Sequence, residues 1–432
     1  MGSPEPATTS TALLTDHYEL TMLGSALADG TAERPCVFEV FARRLPDGRR
    51  YGVVAGTARV LDAIADFRFT DAELAQLEAT AVVDDTTLAW LADYEFAGDL
   101  DGYAEGELYF PGSPILTLAG SFAECVLLET LVLSILNHDS AIASAAARMS
   151  GAAHGRPIIE MGGRRTHEWA AVAAARASYL AGFATTSNLE AGRRYGIPTR
   201  GTVAHAFTLL HDSEEEAFRS QVDKMGADTT LLVDTYDITA GIETAVRVAG
   251  PELGAIRIDS GDVGPLARRA REQLDSLGAK DTRIVVSGDL DEHAIAALRA
   301  EPVDAYGVGT SVVTGSGAPT AGMVYKLVEV DGKPVAKRSA HKESRGGRKS
   351  ALRRHRGTGT AVEEVVWTAG TTPEPEPNDR PLQLPLIRGG RVEPDLPTLD
   401  DARQRLRRGL VSLPWEGLKL SHGEPAIPTL FL

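Results

Sequence analysis

A repeated alternation of short apolar runs and helical stretches, between residues 157 and 310, constrains the fold more than any other feature of this chain. Strands that alternate with helices in this way pair into a parallel sheet of βα units. Seven or eight such units favour a closed barrel over an open sheet, because a closed sheet leaves no edge strand to protect. The strand-like runs are PIIEM (157–161), FATTS (183–187), TRGTVAH (199–205), TLLVDTYD (230–237), AIRIDSGD (255–262), RIVVSGD (283–289) and DAYGVGT (304–310).

Six of these seven runs end in Ser, His, Asp or Thr, and the seventh, PIIEM, ends in Met. The carboxyl ends of the strands of a βα barrel lie at one face, and the active sites of such barrels are found there. We therefore expect the polar residues at the strand ends to form one site. These residues are Thr202, His205, Asp234, Asp259, Asp289 and Thr310.

The segments on either side of the repeat predict a mixed arrangement of helices and strands. Before it we expect a helix to about 28, a strand at 37–41, helices within 51–95, short strands within 103–118 and a long helix over 122–149. After it we expect a hairpin at 323–338 around Asp331-Gly332, an irregular region at 369–396 and a helix at 398–409. The predicted segments are an N-terminal α+β domain at 1–150, the barrel at 151–325 and a C-terminal segment at 326–432.

The charge balance makes some partners poor candidates. With 44 Lys and Arg against 60 Asp and Glu, the net charge of −16 disfavours duplex nucleic acid and anionic membrane surfaces. The basic stretch 337–356 does not change this, because no aromatic residue lies between 331 and 366 to stack on bases. We interpret that stretch as a solvated loop.

The distribution of cysteines and apolar residues predicts a cytoplasmic protein. Two cysteines, Cys36 and Cys125, cannot build a disulfide scaffold or a multi-cysteine metal module, and they fit a reducing compartment. The N-terminus lacks the basic and apolar regions of a signal peptide. The strongest apolar stretch, 125–136, is shorter than the ~18 residues that span a bilayer.

Two glycine-containing turns follow consecutive predicted strands. In GVGTS (307–311), Gly309 and Thr310 offer backbone N–H groups and a hydroxyl to a phosphate, and the alternative is an ordinary flexible turn. In SGD (287–289), Gly288 permits a close approach, and Asp289 either holds a ribose hydroxyl or caps a helix. Together the two turns predict a site for a sugar phosphate.

A cation and two carboxylates stand together in RIDSGD (257–262). Arg257 and Asp259 are two apart and share a face of a strand, where charges are costly unless they are paired or used. One interpretation is a structural ion pair. The other is that Arg257 binds an anionic substrate, while Asp259, with Asp262 beside it, meets sugar hydroxyls or Mg²⁺.

His205 and Arg164 extend the predicted site to two further strand ends. Histidine changes its charge near neutral pH, so His205 at the end of GTVAH (201–205) suits nucleophilic or acid–base chemistry. Arg164 and Arg165 in EMGGRRTHE (160–168) form either an anion clamp or a solvated helix entry.

Taken together, the chain resembles the nicotinate phosphoribosyltransferase family over about residues 13–350. The matching elements, in the order of the family, are TDHYELTM (15–22), FEVFARRLP (38–46), EMGGRRTHE, ATTSN (184–188), GTVAHAF (201–207), LLVDTYD (231–237), RIDSGD, SGDLDE (287–292) and YGVGTSVVTGSGAPT (306–320).

The resemblance implies a type II phosphoribosyltransferase fold, in which an irregular α/β barrel stands beside an α+β domain built from N- and C-terminal segments. It also implies a homodimer with shared active sites, in which Tyr18 covers the pyridine ring from the partner chain. The implied substrates are nicotinate, 5-phosphoribosyl 1-pyrophosphate (PRPP) and ATP, with Mg²⁺ as cofactor, and the implied product is nicotinate mononucleotide.

Site roles also follow from the resemblance, motif by motif. His205 is the histidine that ATP phosphorylates, and Asp259 stabilises positive charge on the ribose. The implied nicotinate contacts are Tyr18, Met161, Arg164, Thr202 and Arg257, and the implied phosphoribosyl contacts are Asp234, Gly288, Asp289, Gly309 and Thr310, alongside Asp259.

Two residues depart from the family pattern, and several alternatives stay open. Met161 stands where relatives often have a Phe that stacks on the pyridine, which puts the affinity for the pyridine substrate in question. Ala206 stands where Ser is common, which removes one hydroxyl group near the phosphoryl site. The open alternatives are transfer to nicotinamide or another pyridine, a Schiff-base aldolase and a non-catalytic relative. The aldolase needs a strand-end Lys, and none of the runs contains one.

Overall fold

The computed structural model describes residues 10–337 and 344–432 of the chain. Residues 338–343 of the basic stretch and the first nine residues lie outside the described part. Contacts divide the chain into two units, of which the second is Ile142–Pro319 and the first is Met1–Ala141 together with Thr320–Leu432.

The first boundary of the second unit falls at residue 142, where the sequence predicted 151, because a continuous helix runs through this region. The elements before and through that boundary are α1 (His17–Asp29), β1 (Pro35–Ala42), β2 (Gly52–Val53), α2 (Thr57–Ala65), α3 (Asp71–Thr80), α4 (Asp85–Ala92), β3 (Asp99–Tyr103), β4 (Leu108–Tyr109), β5 (Leu116–Ser121), α5 (Phe122–Val126) and α6 (Glu129–Ala153).

The second unit is a parallel sheet whose strands alternate with helices. Its elements are β6 (Ile158–Glu160), α7 (Glu168–Leu180), β7 (Thr185–Thr186), α8 (Leu189–Tyr195), α9 (His205–Leu209), α10 (Glu214–Met225), β8 (Thr230–Leu232), α11 (Ile238–Ala249), β9 (Ala255–Ile258), α12 (Val263–Ser276), β10 (Arg283–Val286), α13 (Glu292–Ala297), β11 (Ala305–Val308) and α14 (Thr310–Val313). The strand order is β7-β6-β11-β10-β9-β8, and all pairs are parallel. The predicted α/β class is confirmed, as a curled parallel sheet of six strands. The expected closure is not found, because β7 and β8 are the two edges of the sheet and do not pair with each other.

The run 199–205 was predicted as a strand, and this prediction is wrong. Only an isolated bridge between Thr199 and Thr186 remains of it, and the chain then enters α9 at His205. The physical reason is that Arg200 bonds back to Thr186 while the following residues pair with no strand, so β7 and β8 stay at the two edges of the sheet. His205 therefore lies at the first turn of a helix.

The C-terminal segment adds strands to the first unit. Its elements are β12 (Met323–Val330), β13 (Lys333–Pro334), β14 (Lys349–His355), β15 (Ala361–Thr368), β16 (Arg380–Pro381), β17 (Gln383–Arg388), β18 (Arg391–Val392), α15 (Leu399–Ser412) and β19 (Thr429–Phe431). The seven-stranded sheet of this unit has the order β13-β12-β1-β5-β3-β17-β18, so three N-terminal strands form its centre and two C-terminal strands lie on either side. Four further strands form the sheet β16-β14-β15-β19. The interpretation of 337–356 as a solvated loop is wrong for Lys349–His355, because these residues form β14 and Arg353 is fully buried there.

The predicted hairpin around Asp331-Gly332 is confirmed, with both residues in the left-handed region at φ of 49° and 70°. That conformation matches a tight two-residue turn between antiparallel strands. The prediction that 369–396 is irregular is wrong in part, because β17 pairs with β3. The sequence pattern did not indicate this strand because it contains Pro385, which lies at a register shift and is unusual inside a strand.

One helical stretch in the described part of the chain, 122–153, is long and apolar enough to cross a membrane by length and composition. About two thirds of its apolar window, 67%, is buried inside the protein, as in the core helix of a globular domain. Its residues Leu128, Val132 and Leu136 pack into the core of the first unit. A buried core helix satisfies the same test, so this stretch is weak evidence for a membrane span.

Candidate functional site

The carboxyl ends of neighbouring parallel strands bring the predicted site residues to one edge of the sheet. Ile258 of β9 pairs with Val286 of β10, and Val308 of β11 pairs with Glu160 of β6. The residues that follow these positions are the predicted polar turns. Edges of this kind, at the carboxyl ends of parallel strands, are where ligands bind in α/β folds.

A cavity of about 590 Å³ opens at this edge. Six of the predicted residues line it, namely Met161, Arg164, Thr202, His205, Arg257 and Asp259. The other lining residues are Gly163, Ser187, Arg200, Gly201, Val203, Ala204, Ala206 and Leu232. The volume falls in the range of small-molecule sites.

The guanidinium group of Arg257 organises the floor of the cavity. Its Nε donates to Ser287 Oγ at 2.9 Å, one terminal nitrogen donates to Thr202 Oγ1 at 3.0 Å, and the other donates to Asp259 Oδ1 at 2.8 Å. Each terminal nitrogen carries a second N–H that these bonds leave free. Arg257 is thus both paired, as the structural interpretation required, and still able to bind an anion.

Asp259 is held in its charged form. Burial alone would raise its pKa, but hydrogen bonds from Ser287 and Arg257 and the positive charge of Arg257 outweigh burial, so the pKa lies below its ordinary value. Its Oδ2 accepts no hydrogen bond from the described residues. An ionised carboxylate with one open oxygen can stabilise a positive charge or bind a cation.

Asp234 links Asp259 to His205. Its Oδ2 accepts a hydrogen bond from the backbone N–H of Asp259 and another from Ser260 Oγ, both at 2.8 Å. Its Oδ1 is buried without a hydrogen-bond partner and lies 3.7 Å from Nε2 of His205. The Asp234 side chain is 1% exposed, while His205 is 37% exposed and faces the cavity.

The predicted phosphoribosyl turns follow β10 and β11. Gly288 has φ of 98°, and a Cβ there would lie 2.4 Å from the carbonyl oxygen of Asp259, so glycine is required. Asp289 is strained at φ of 45°. It does not cap a helix, because Asp291 is the residue that caps α13, and this excludes the capping alternative. Gly309 and Thr310 begin α14 directly after β11.

Met161 packs against the backbone of the neighbouring strand. A Cβ at Gly307 would lie 2.8 Å from Met161 Sδ, so the missing side chain at 307 makes room for the methionine. The backbone N–H of Met161 donates to Val308 at 2.7 Å. Beneath it, the buried carboxylate of Glu160 accepts hydrogen bonds from Thr186 Oγ1 and the N–H of Gly162. Met161 therefore sits on a rigid part of the cavity wall.

Tyr18 is the one predicted site residue that lies in the first unit, at the start of α1. Its side chain is 44% exposed. Partial burial, followed by the negative charges of Glu129 and Glu19, raises the pKa of Tyr18 to about 12, so its hydroxyl stays protonated.

Sequence reasoning missed several residues that shape the site. Ser287 donates to Asp259 and accepts from Arg257, although only its neighbours in SGD were assigned roles. Arg200 adds a cation to the cavity wall. The strand-end position of Ser287 in RIVVSGD marks it only as a residue of the site edge, because its contacts with Arg257 and Asp259 depend on the register between β9 and β10. No comparable pattern marks Arg200.

The fold and this edge define the chain as a type II phosphoribosyltransferase. The N-terminal domain model of nicotinate phosphoribosyltransferase matches residues 13–137, and the C-terminal domain model of quinolinate phosphoribosyl transferase matches residues 142–316. Nicotinate phosphoribosyltransferase pncB1 of Mycobacterium tuberculosis is 67% identical over 425 residues, which cover 96% of this chain and 94% of that protein. This chain therefore belongs to the nicotinate phosphoribosyltransferase family.

Solved structures agree with that assignment. The human nicotinic acid phosphoribosyltransferase superposes with a TM-score of 0.83 at 25% identity, over 96% of this chain and 97% of the human one. A nicotinate-nucleotide pyrophosphorylase from Pyrococcus furiosus has the same fold, with a TM-score of 0.79 at 24% identity, over 95% and 97%.

Proposed function

We propose that this chain transfers the phosphoribosyl group of PRPP to nicotinate, giving nicotinate mononucleotide and pyrophosphate for NAD salvage, and that hydrolysis of ATP to ADP and phosphate is coupled to the transfer. The 67% identity to a nicotinate phosphoribosyltransferase over nearly the whole chain supports the reaction. The observation that carries the proposal is Arg257, held by three oxygen partners at the cavity floor with two N–H groups free.

The charges on the cavity wall favour an acid over an amide. Arg164, Arg200 and Arg257 line the cavity, while Asp259 is the one carboxylate among the described residues that line it and is already paired with Arg257. An excess of guanidinium groups stabilises the carboxylate of nicotinate and gives nothing comparable to a neutral amide. This supports nicotinate over nicotinamide as the pyridine substrate.

Asp259 is proposed to act on the ribose. Departure of pyrophosphate builds positive charge on the anomeric carbon and ring oxygen. A carboxylate that stays ionised in a partly buried site stabilises such charge without reorganising. Gly288, Asp289, Gly309 and Thr310 are proposed to hold the ribose and its 5-phosphate through backbone N–H groups and short side chains.

Magnesium fits the acidic groups of this edge. Asp259 has an open oxygen, and Asp262 makes no capping hydrogen bond at the start of α12. No group of three metal-ligating side chains occurs among the residues that the structure describes. One or two carboxylates are what Mg²⁺ uses when substrate phosphates complete its shell, and the ion would then neutralise the pyrophosphate that leaves.

His205 is proposed to accept the γ-phosphoryl group of ATP. Nε2 faces Asp234, so Nδ1 is the ring nitrogen left for the phosphoryl group. Transfer forms an N–P bond on His205 and breaks the bond between the γ-phosphorus and ADP. Water later cleaves the N–P bond, releasing phosphate. The added charge and acceptor oxygens at the rim can order the substrates before they react.

We further propose a cytoplasmic homodimer with shared active sites. In it, Tyr18 of one chain would cover the pyridine ring bound by the other, as the family resemblance implies. The exposure of Tyr18 and its protonated hydroxyl are compatible with stacking on a ring.

The ATP coupling is tested with His205→Asn. The variant should lose ATP stimulation of nicotinate mononucleotide formation and all labelling from γ-³²P-ATP, while its ATP-independent rate changes less than about threefold. His167→Asn is the matched control, because His167 is exposed and Asn preserves its capping of α7. Retention of ATP stimulation in His205→Asn would refute the assigned role.

A further inference from the structure

Glu160, the last residue of β6, is a buried glutamate that the reaction described above does not use. It is 1% exposed, and strand pairing puts it opposite Thr186 of β7 on one side and Val308 of β11 on the other. It is not among the described residues that line the cavity, whereas Met161, which follows it, is. Glu160 therefore lies behind the cavity wall, at the point where three neighbouring strands end.

Both carboxylate oxygens of this side chain bind groups that belong to the wall. Oε1 accepts a hydrogen bond from the backbone N–H of Gly162 at 2.5 Å, and Oε2 accepts one from Thr186 Oγ1 at 2.5 Å. The turn after β6 supplies Gly163 and Arg164 to the cavity, and the turn after β7 supplies Ser187. One carboxylate thus joins two turns that line the site.

The turn after β6 is confined between this carboxylate and helix α14. A Cβ on Gly162 would lie 2.1 Å from Cγ1 of Val313 in α14 and 2.9 Å from Oε1 of Glu160. The N–H of Met161 donates to the carbonyl of Val308, and the N–H of Arg165 donates to the carbonyl of Gly162 and closes the turn. Shortening the side chain at 160 would open space on one side of the turn and leave a buried N–H without its acceptor.

The choice of a carboxylate at this position has a cost. Burial raises the pKa of Glu160 above its ordinary value, despite the hydrogen bonds from Thr186 and Gly162. An apolar side chain of similar size would be cheaper to bury, but it could accept neither hydrogen bond. What the carboxylate provides in return is the connection between the two turns.

We propose that Glu160 is a positioning residue for the pyridine ring: by holding Gly162 and Thr186 together, its carboxylate fixes the wall against which the ring binds. Met161 and Arg164, the nicotinate contacts assigned to that wall, follow Glu160 in the chain and depend on it for their placement. Glu160 acts through them and touches neither substrate nor the reacting atoms. Nicotinate as the ligand rests on the proposed function, whereas the order of the wall does not.

The wall is tested first, without any ligand, by amide hydrogen exchange of the full-length protein with mass spectrometry that resolves single residues. In Glu160→Ala the amides of Met161 and Arg165 should exchange at least about tenfold faster than in wild type, because the whole turn opens. Neither of these amides is bonded to the removed carboxylate. Faster exchange at Gly162 alone, with Met161 and Arg165 unchanged, would overturn the proposal.

Two conservative variants and one matched control accompany this test. Glu160→Gln keeps an acceptor for Gly162 and should accelerate the same amides less than about threefold, and Thr186→Val, which removes only the second hydrogen bond, should lie between Gln and Ala. These two variants decide the outcome if Glu160→Ala does not fold. Gln221→Ala is the control, because Gln221 is 3% exposed and donates to Thr229 and to the carbonyl of Thr230 at the opposite end of the sheet. It should leave exchange in the turn after β6 unchanged.

Steady-state kinetics then connect the wall to the ligand. Glu160→Ala should raise KM for nicotinate about 20-fold, while kcat and KM for PRPP change less than about threefold, because the groups assigned to the ribose stay in place. Glu160→Gln should recover most of the loss, and Gln221→Ala should keep all three constants. A merely structural role would instead raise both KM values together and lower the melting temperature as much in Gln221→Ala.

The outcomes separate this proposal from the proposed function. If wild type forms no mononucleotide while the amides of Met161 and Arg165 still accelerate in Glu160→Ala, the proposed function fails and the role of Glu160 in fixing the wall stands. Product formation by wild type, with unchanged exchange at both amides or with equal increases in the two KM values, contradicts the positioning role alone.

Discussion

Arg353 in the first unit and Arg257 in the second are both held by several oxygen atoms, yet their surroundings differ. Arg353 is 0% exposed and donates to Glu107 at 2.6 Å, to Glu364 at 2.7 Å and to the carbonyl of Leu108 at 2.7 Å. Arg257 is 13% exposed, and two of its three partners are hydroxyl groups.

The partners make the difference between a closed cluster and an open one. Around Arg353 the charges nearly cancel within the protein, because Arg380 also pairs with Glu107 while Glu364 balances Arg353. Around Arg257 one carboxylate meets one guanidinium that still faces a cavity. A closed cluster acts on stability, whereas an open cluster can act on a ligand. The following predictions test this distinction, from the largest effect to the smallest.

Among these predictions, the largest effect is expected from removal of Arg353, the cation of the closed cluster. Arg353→Met leaves Glu107 and Glu364 buried without their shared partner, and we expect a loss of about 4 kcal/mol in the free energy of unfolding. Urea unfolding measures the change. Arg356→Met, an exposed position just beyond the same strand, should lose less than about 0.5 kcal/mol. Equal losses in both variants would show that the buried ion pairs of Arg353 do not stabilise the protein more than an exposed arginine does.

The closed cluster should also make the protein sensitive to acid. Burial alone would raise the pKa of Glu107, but Arg353 and Arg380 hold it at about 2. A folded-state pKa below the unfolded value stabilises the protein above about pH 4.5, and this contribution, about 3 kcal/mol, disappears as the pH falls towards 2. Unfolding free energies measured between pH 6 and 2.5 should show the loss in wild type. An equally steep loss in Arg353→Met would contradict the assignment.

Removing the cation of the open cluster should affect activity instead. Arg257→Met should lower kcat/KM for nicotinate about 100-fold, equivalent to about 2.7 kcal/mol, because the anion and Asp259 lose a shared donor. The melting temperature should change by only a few degrees. Arg283→Met, an exposed arginine at the opposite end of β10, should keep wild-type kinetics. A large loss of stability with normal kinetics would show that Arg257, like Arg353, acts on stability and not on a ligand.

Ser287 should show the smallest effect. Ser287→Ala removes the hydroxyl between Arg257 and Asp259, and we expect kcat to fall about tenfold, or about 1.4 kcal/mol, since one hydrogen bond to a charged group is lost. The pKa of Asp259 should rise at the same time, which shifts the acid limb of the pH–rate profile to higher pH. A profile identical to wild type would mean that Ser287 does not control Asp259.

The parts of the fold that local patterns determine were predictable. Six of the seven strand-like runs are strands, because apolar runs between helices leave few alternatives. The run 199–205 failed because its apolar residues pair with no neighbouring strand, which a local pattern cannot reveal. Strand β17 was hidden by Pro385, and its pairing with β3 joins residues almost 300 positions apart.

In the candidate site, too, the contacts that a local pattern determines were predictable and those that depend on strand pairing were not. The Arg257–Asp259 pair followed from the period of a strand, and the structure has it at 2.8 Å. Ser287 could not be assigned in this way, because its contacts depend on the register between β9 and β10.

The central claim, that the open cluster around Arg257 selects a pyridine carboxylate for phosphoribosyl transfer, is tested most directly by a product assay. Purified protein is incubated with PRPP and Mg²⁺ and with nicotinate, nicotinamide or quinolinate, each with and without ATP, and the mononucleotides are separated and quantified. We predict nicotinate mononucleotide as the main product, formed faster with ATP. Equal product from nicotinamide, a preference for quinolinate, or no product from nicotinate would contradict the claim.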